Sequence, residues 1–166
     1  MKKIDEQGLR LCRIQGEVFA LSAENDSSGS AVFIRRYMRS DIARRFDSGT
    51  IVNESTSSAA LIRELKNTYG EKSYGSEKYA GEELYWMGYL YRYWAYTDEM
   101  TSKNLYKLIQ GPELRKLYYP YHSLDPAQAI ARIKEAKRIP DLDPIQRGVI
   151  VMRRVRRKLN TNISYK

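Results

Sequence analysis

Only one cysteine, Cys12, and one histidine, His122, occur among the 166 residues. A single thiol excludes an internal disulfide and fits a reducing compartment. The two residues lie far apart in the chain and match no zinc-ligand spacing, so no metal centre is expected. Gly70, Gly75 and Gly81 fall in no recognised phosphate-loop spacing. A serine nucleophile would lack a second histidine or a lysine partner to activate it. The acid pairs Glu82/Glu83 and Asp98/Glu99 sit where helix ends are expected and need no catalytic role. No apolar run reaches the ~20 residues that cross a bilayer. Residues 1–17 contain no unbroken apolar stretch of signal-peptide length. The expectation is a cytoplasmic protein without a cofactor.

What the chain does have is tyrosine: 14 residues, concentrated in residues 82–96, EELYWMGYLYRYWAY. Between Leu84 and Tyr96 only Arg92 is clearly polar. The run lacks proline and opens with acids, which suits a helix. At helical spacing Tyr85, Trp86, Tyr89, Tyr93 and Tyr96 share one side, and Leu84, Met87, Tyr91, Trp94 and Ala95 share the other. A helix apolar all round is usually buried, and it would form the centre of the fold. A pair of β-strands is the competing reading, because Tyr and Trp favour strands; the run alternates only partly and has no internal turn signal. Core packing explains most of these rings. Those with hydroxyls at the edge of the core, Tyr85, Tyr89, Tyr93 and Tyr96, are the candidates for gripping a protein partner or stacking bases.

Around this segment the pattern predicts further helices. Residues 3–23 place Ile4, Leu11, Ile14, Val18 and Leu21 roughly on one face, with Gly8 and Gly16 weakening the helix. Residues 25–30 form a loop. Residues 31–46 read as one helix, with Phe33, Ile34, Tyr37, Met38 and Ile42 opposite Arg35, Arg36 and Arg39. A helix over 58–69 is closed by Gly70, and residues 70–79 form a turn-rich link. Thr101 or Ser102 caps a short helix through Ile109. Pro112 opens another to about Tyr118, and residues 119–123 are irregular. Leu124-Asp125-Pro126-Ala127-Gln128 and Leu142-Asp143-Pro144-Ile145-Gln146 repeat one helix-start signal, with Asp as cap and Pro in the first turn. They open helices at 126–137 and 144–159. The reading is a single all-α domain over 1–166, with seven or eight helices and a basic C-terminal helix and tail at 144–166.

The net charge of +9 is unevenly placed. Residues 127–166 carry 11 basic and 3 acidic side chains, and the rest of the chain is near neutral. In the last helix Ile145, Val149, Met152, Val155 and Leu159 form an apolar side. Arg147, Arg153, Arg154, Arg157 and Lys158 cluster opposite, with Arg156 nearer the apolar side. Such a helix can dock by one face and offer cations to phosphates by the other. Arg35, Arg36 and Arg39 are candidates for a second basic patch. DNA, RNA and an acidic protein surface all fit this charge, and so does a merely solvated tail. A basic amphipathic helix can also lie on a membrane; without a lipid anchor or flanking Trp or Phe, no membrane partner is expected.

Three stretches, FIRRYMRSDIARRFD at 33–47, ELYWMGYLYRYWAYT at 83–97 and ELRKLYYPYHSLDPAQAIARI at 113–133, resemble a group of small helical proteins of Gram-positive bacteria associated with toxin–antitoxin-like gene pairs on mobile elements. The resemblance implies a protein partner, such as a cognate toxin, and a bacterial cytosol, and supplies no catalytic residues. Residues 145–166 lie outside it. Separately, Arg115 and His122 are spaced similarly to the Arg…His motif of HEPN-type ribonucleases, in which both residues act on the scissile phosphate. Here Lys116 replaces the polar residue that usually follows the Arg, Pro120 interrupts the helix, and only a symmetric homodimer could supply a second histidine. A histidine donating to a backbone carbonyl beside the Pro120 turn is the simpler account. The sequence therefore points first to a non-enzymatic binding protein of antitoxin or regulatory type, and second to a metal-independent ribonuclease toxin using Arg115 and His122.

Overall fold

The computed structural model describes residues 1–50, 57–71 and 73–140. Among them are nine helices and no strand: α1 (Glu6–Asn25), α2 (Ser30–Tyr37), α3 (Asp41–Asp47), α4 (Ser58–Tyr69), α5 (Gly81–Thr97), α6 (Ser102–Leu108), α7 (Gly111–Arg115), α8 (Tyr118–Tyr121) and α9 (Pro126–Ala136). The fold is all-α, and no described helix is long and apolar enough to cross a membrane. The chain divides into two units, Lys2–Ala131 and Met1 with Arg132–Lys166. The described part of the second completes α9 and turns at Arg138, which takes φ 52°. The expected helix at 144–159, with its cap at Asp143-Pro144, lies outside the described residues.

Within the larger unit α5 is the central helix, packed against α1, α6, α7 and α8. Its first turn is organised by Glu83, whose carboxylate accepts from the Ala80 amide at 3.1 Å. The α1–α5 contact dominates, and glycine makes it possible. A Cβ on Gly88 would sit 2.6 Å from the Gln15 carbonyl oxygen and 3.0 Å from Gly16 Cα. A Cβ on Gly8 would lie 2.7 Å from the Tyr96 ring. Gly8 and Gly16, expected only to weaken α1, therefore let the two backbones approach. The buried face of α1 includes the expected Leu11 and Val18 but is otherwise built from other residues. Leu11, Cys12, Gln15, Gly16, Val18, Phe19 and Ser22 face inward, while Leu21 is exposed.

The expected helix at 31–46 is two helices. Ser40 breaks it: its hydroxyl donates to the Tyr37 carbonyl at 2.7 Å and accepts from the Ala43 amide at 3.2 Å. This ends α2 and caps α3 with one side chain. The break turns Phe46 and Asp47 inward. Elsewhere the local signals hold. Ser58–Tyr69 is helical, and Gly70 follows at φ 72°. Thr101 caps α6 by accepting from Asn104 N at 3.3 Å. Asp125 accepts from Ala127 N at 2.8 Å at the start of α9. The helix expected from Pro112 to about Tyr118 ends at Arg115, and residues 119–121, part of the stretch 119–123 expected to be irregular, belong to the short α8. Pro120 lies in its first turn, where a missing amide costs little.

A polar hub fixes α5 in place. Arg92 is 1% exposed and lies inside the unit. Its Nε donates to Gln15 Oε1 at 3.0 Å, one terminal nitrogen to Asp47 Oδ1 at 2.8 Å, and the other to the Ser102 hydroxyl. Asp47 also accepts from Ser102 N at 2.9 Å and from its hydroxyl at 2.7 Å. Gln15 returns a bond to the Gly88 carbonyl at 3.1 Å. One guanidinium thus ties α1, α3, α5 and α6 together, and buried charge of this kind is tolerated only when fully bonded.

A candidate partner-binding aromatic face

Tyr85, Tyr89 and Tyr93 lie along one flank of α5, and at its start the Tyr85 ring packs on α1, where a Cβ on Gly16 would lie 3.0 Å from it. Leu84, Met87, Leu90, Tyr91, Trp94 and Ala95 are buried, whereas Tyr85 is exposed and Trp86, Tyr89, Tyr93 and Tyr96 are half-buried. The division into two sides follows the helical spacing, but the helix is not buried all round as its composition suggests. Tyr85, Tyr89 and Tyr93 are four residues apart, so their rings line up. Neighbouring centroids are 6.2 and 6.4 Å apart, with interplanar angles of 31° and 25°. Partial burial raises the phenol pKa of all three. They are therefore hydrogen-bonding phenols at neutral pH.

Beside this ladder runs a groove of about 540 Å³, with Trp86, Tyr89 and Leu90 on one wall and Tyr118, Leu124 and Pro126 on the other. Tyr118 meets the Trp86 ring edge-on, with centroids 5.6 Å apart, and stacks on His122 at 4.7 Å. Among the described residues no hydrogen bond involves the hydroxyls of Tyr85, Tyr89, Tyr93 or Tyr118, or the indole N–H of Trp86. Sequence reasoning placed Trp86 on this side but did not join Tyr118, His122 and Leu124 to it. Only the chain's return after α7 brings them there.

Tyr96, expected with the partner-binding tyrosines, is also engaged within the chain. Its hydroxyl donates to both Asp5 carboxylate oxygens, at 2.8 and 2.7 Å, and Lys2 Nζ lies 4.0 Å from its ring centroid. The Asp5 hydrogen bond, reinforced by burial, pushes the Tyr96 phenol up to about 12. Asp5 in turn is held below the usual carboxylate range, first by the Gly8 amide and then by Tyr96. Tyr96 thus clamps the start of α1, apart from the ladder.

Arg115 and His122 are occupied separately. Arg115 bonds Glu77 and, at 3.1 Å, Glu83, and lies 4.1 Å over the Tyr79 ring. His122 Nδ1 is 3.1 and 3.2 Å from the carbonyl oxygens of Tyr118 and Tyr119. Carbonyls only accept, so those bonds need a proton on Nδ1.

The three arginines of α2 and its C-terminal turn diverge. Arg36 is paired with Asp26, which is itself buried and bonded to Ser28. Arg35 and Arg39 are exposed. Arg35 reaches the Tyr74 hydroxyl at 3.4 Å, and Arg39 lies 5.7 Å from the Tyr106 ring centroid. Arg147, Arg153, Arg154, Arg157 and Lys158 lie outside the described residues. Among those described, no cluster of three His, Cys, Asp or Glu residues could hold a metal ion. Burial pushes the Cys12 thiol up to about 12, which makes it a poor nucleophile.

No family model matches the chain, and no curated protein or solved structure matches it.

Proposed function

We propose that this chain is a non-enzymatic helical binding protein of antitoxin or regulatory type, and that it takes a protein partner on the aromatic face formed by Tyr85, Trp86, Tyr89, Tyr93 and Tyr118. One observation carries this reading. A rigidly anchored helix leaves a row of aromatic rings half-exposed beside a groove, with their polar atoms unused. Large amphipathic rings held in fixed rotamers are the side chains that dominate protein interfaces. The two carboxylates on Arg115 offset the positive charge that a phosphate-cleaving guanidinium would offer its substrate, which favours binding over cleavage. The resemblance to proteins of toxin–antitoxin-like loci supports a cognate toxin as the partner in a bacterial cytosol. The charge of residues 127–166 supports an additional contact with DNA or RNA.

The test is co-expression with the product of the neighbouring gene. A stable complex should form with the wild-type chain and be lost in Tyr85→Ala/Tyr89→Ala, with Tm shifted little because both rings are partly solvated. Retention of the complex in that variant would overturn the reading. Toxicity of the chain alone, abolished by His122→Ala at equal solubility, would establish the ribonuclease reading instead.

A further inference from the structure

Resting on that reading, we infer that the groove receives an extended, proline-rich segment of the partner, with a lysine or arginine lying at the Glu82 end. The groove's walls are aromatic; the Trp86 indole N–H can only donate, and the Tyr85, Tyr89 and Tyr118 hydroxyls, unbonded among the described residues, can donate as well as accept. Its floor is helical, so it has no open strand edge for a β-addition ligand. A helical ligand keeps its carbonyls bonded within itself and leaves those donors idle. A polyproline II segment has every carbonyl free, and at each proline no N–H is left unsatisfied. Its flat rings also pack on tyrosine and tryptophan faces.

Charge sets the direction. Glu82 lines the groove at the start of α5, and no ion pair engages it among the described residues. Close by, Glu77 and Glu83 share the single Arg115, so this end carries excess negative charge. After burial, Glu82 does most to push the Tyr118 phenol up, followed by Glu83 and Tyr119. The flank of α1 differs: Arg13 and Glu17 both act on Tyr85 there and oppose each other. A cation on the ligand therefore gains most beside Glu82.

The experiment uses the full chain and synthetic decapeptides of alternating proline and leucine, with arginine at either terminus. Binding is read from tryptophan fluorescence and from amide shifts. Saturable binding is expected, at least about tenfold tighter than for peptides with every proline replaced by alanine. The fluorescence change should vanish in Trp86→Phe, because Trp94 is buried. Glu82→Gln, an exposed change that leaves the fold alone, should erase the advantage of arginine over glutamine in the peptide. Equal binding of the proline and alanine peptides, or none at millimolar concentration, overturns the inference. If the peptides fail while Tyr85→Ala/Tyr89→Ala still loses the partner, the aromatic face stands and only its ligand is wrong. If the partner also survives that substitution, both fall.

Discussion

Arg92→Met is the perturbation that most directly probes how α5 is held. The guanidinium is 1% exposed and its partner Asp47 only 13%. Methionine fills much of the same space but makes none of the bonds to Gln15, Asp47 or Ser102. Breaking a buried pair by removing one member costs about 3–5 kcal/mol, because the other charge stays behind. Asp47 keeps its two bonds from Ser102 and has some access to water, which places the expected loss near the lower limit, about 3 kcal/mol. That is a large share of a typical total of ~5–15 kcal/mol. It corresponds to a fall in Tm of roughly 6–12 °C for a chain of this size. The assay is urea and thermal unfolding followed by far-ultraviolet circular dichroism. Asp47→Asn keeps an acceptor for the Ser102 amide while removing the stranded charge. Arg92→Met/Asp47→Asn should therefore recover at least half of the loss. A single variant within ~1 kcal/mol of wild type, or a double variant in which the two losses add, would refute the idea that this hub anchors the helix.

Gly88→Ala should destabilise by about 1–2 kcal/mol, because overpacking against the Gln15 carbonyl and Gly16 outweighs the ~1 kcal/mol gained in helix propensity. Gly81→Ala, with nothing within 4 Å of the new Cβ, is the control and should not destabilise. In phenolate absorbance titrations Asp5→Asn should move one tyrosine from about 12 back toward 10. The folded state holds the Tyr96 proton more tightly, so this contribution to stability is full below pH 10 and fades as pH rises to about 12. The Asp5 contribution has the opposite sense: it is present above its ordinary value of 3.8 and disappears as pH falls through the lowered one. Replacing Arg153, Arg154, Arg157 and Lys158 by Gln should flatten the log–log salt slope of nucleic-acid binding by about 3–4, at ~0.9 per phosphate contact. Unchanged slopes would remove these residues from any phosphate contact.

The parts of the fold that local chemistry dictates were legible in the sequence. Gly70 closes α4, Asp125-Pro126 opens α9, and the two sides of α5 follow from residue spacing alone. What escaped depends on neighbours distant in the chain. Ser40 interrupts an otherwise helical pattern because its hydroxyl can serve both the Tyr37 carbonyl and the Ala43 amide, a choice the binary pattern does not encode. Gly8 and Gly16 look like helix defects until Tyr96 and Gly88 are placed against them. Arg92 looks like the one solvated position of an apolar helix, yet it is the most deeply bonded, because Gln15, Asp47 and Ser102 converge on it from three other helices. The aromatic site was half visible for the same reason. The Tyr85–Tyr93 ladder is a matter of spacing, whereas its opposite wall of Tyr118, Leu124 and Pro126 is supplied by topology.

The unburied side of α5 is proposed as a protein-docking face. Amide and side-chain chemical shifts of the isotopically labelled full chain, recorded with and without the purified product of the neighbouring gene, test it most directly. The largest changes are expected on Tyr85, Trp86, Tyr89, Tyr93 and Tyr118, while Arg92 and its partners stay still. A bound complex that leaves those five unperturbed would contradict it.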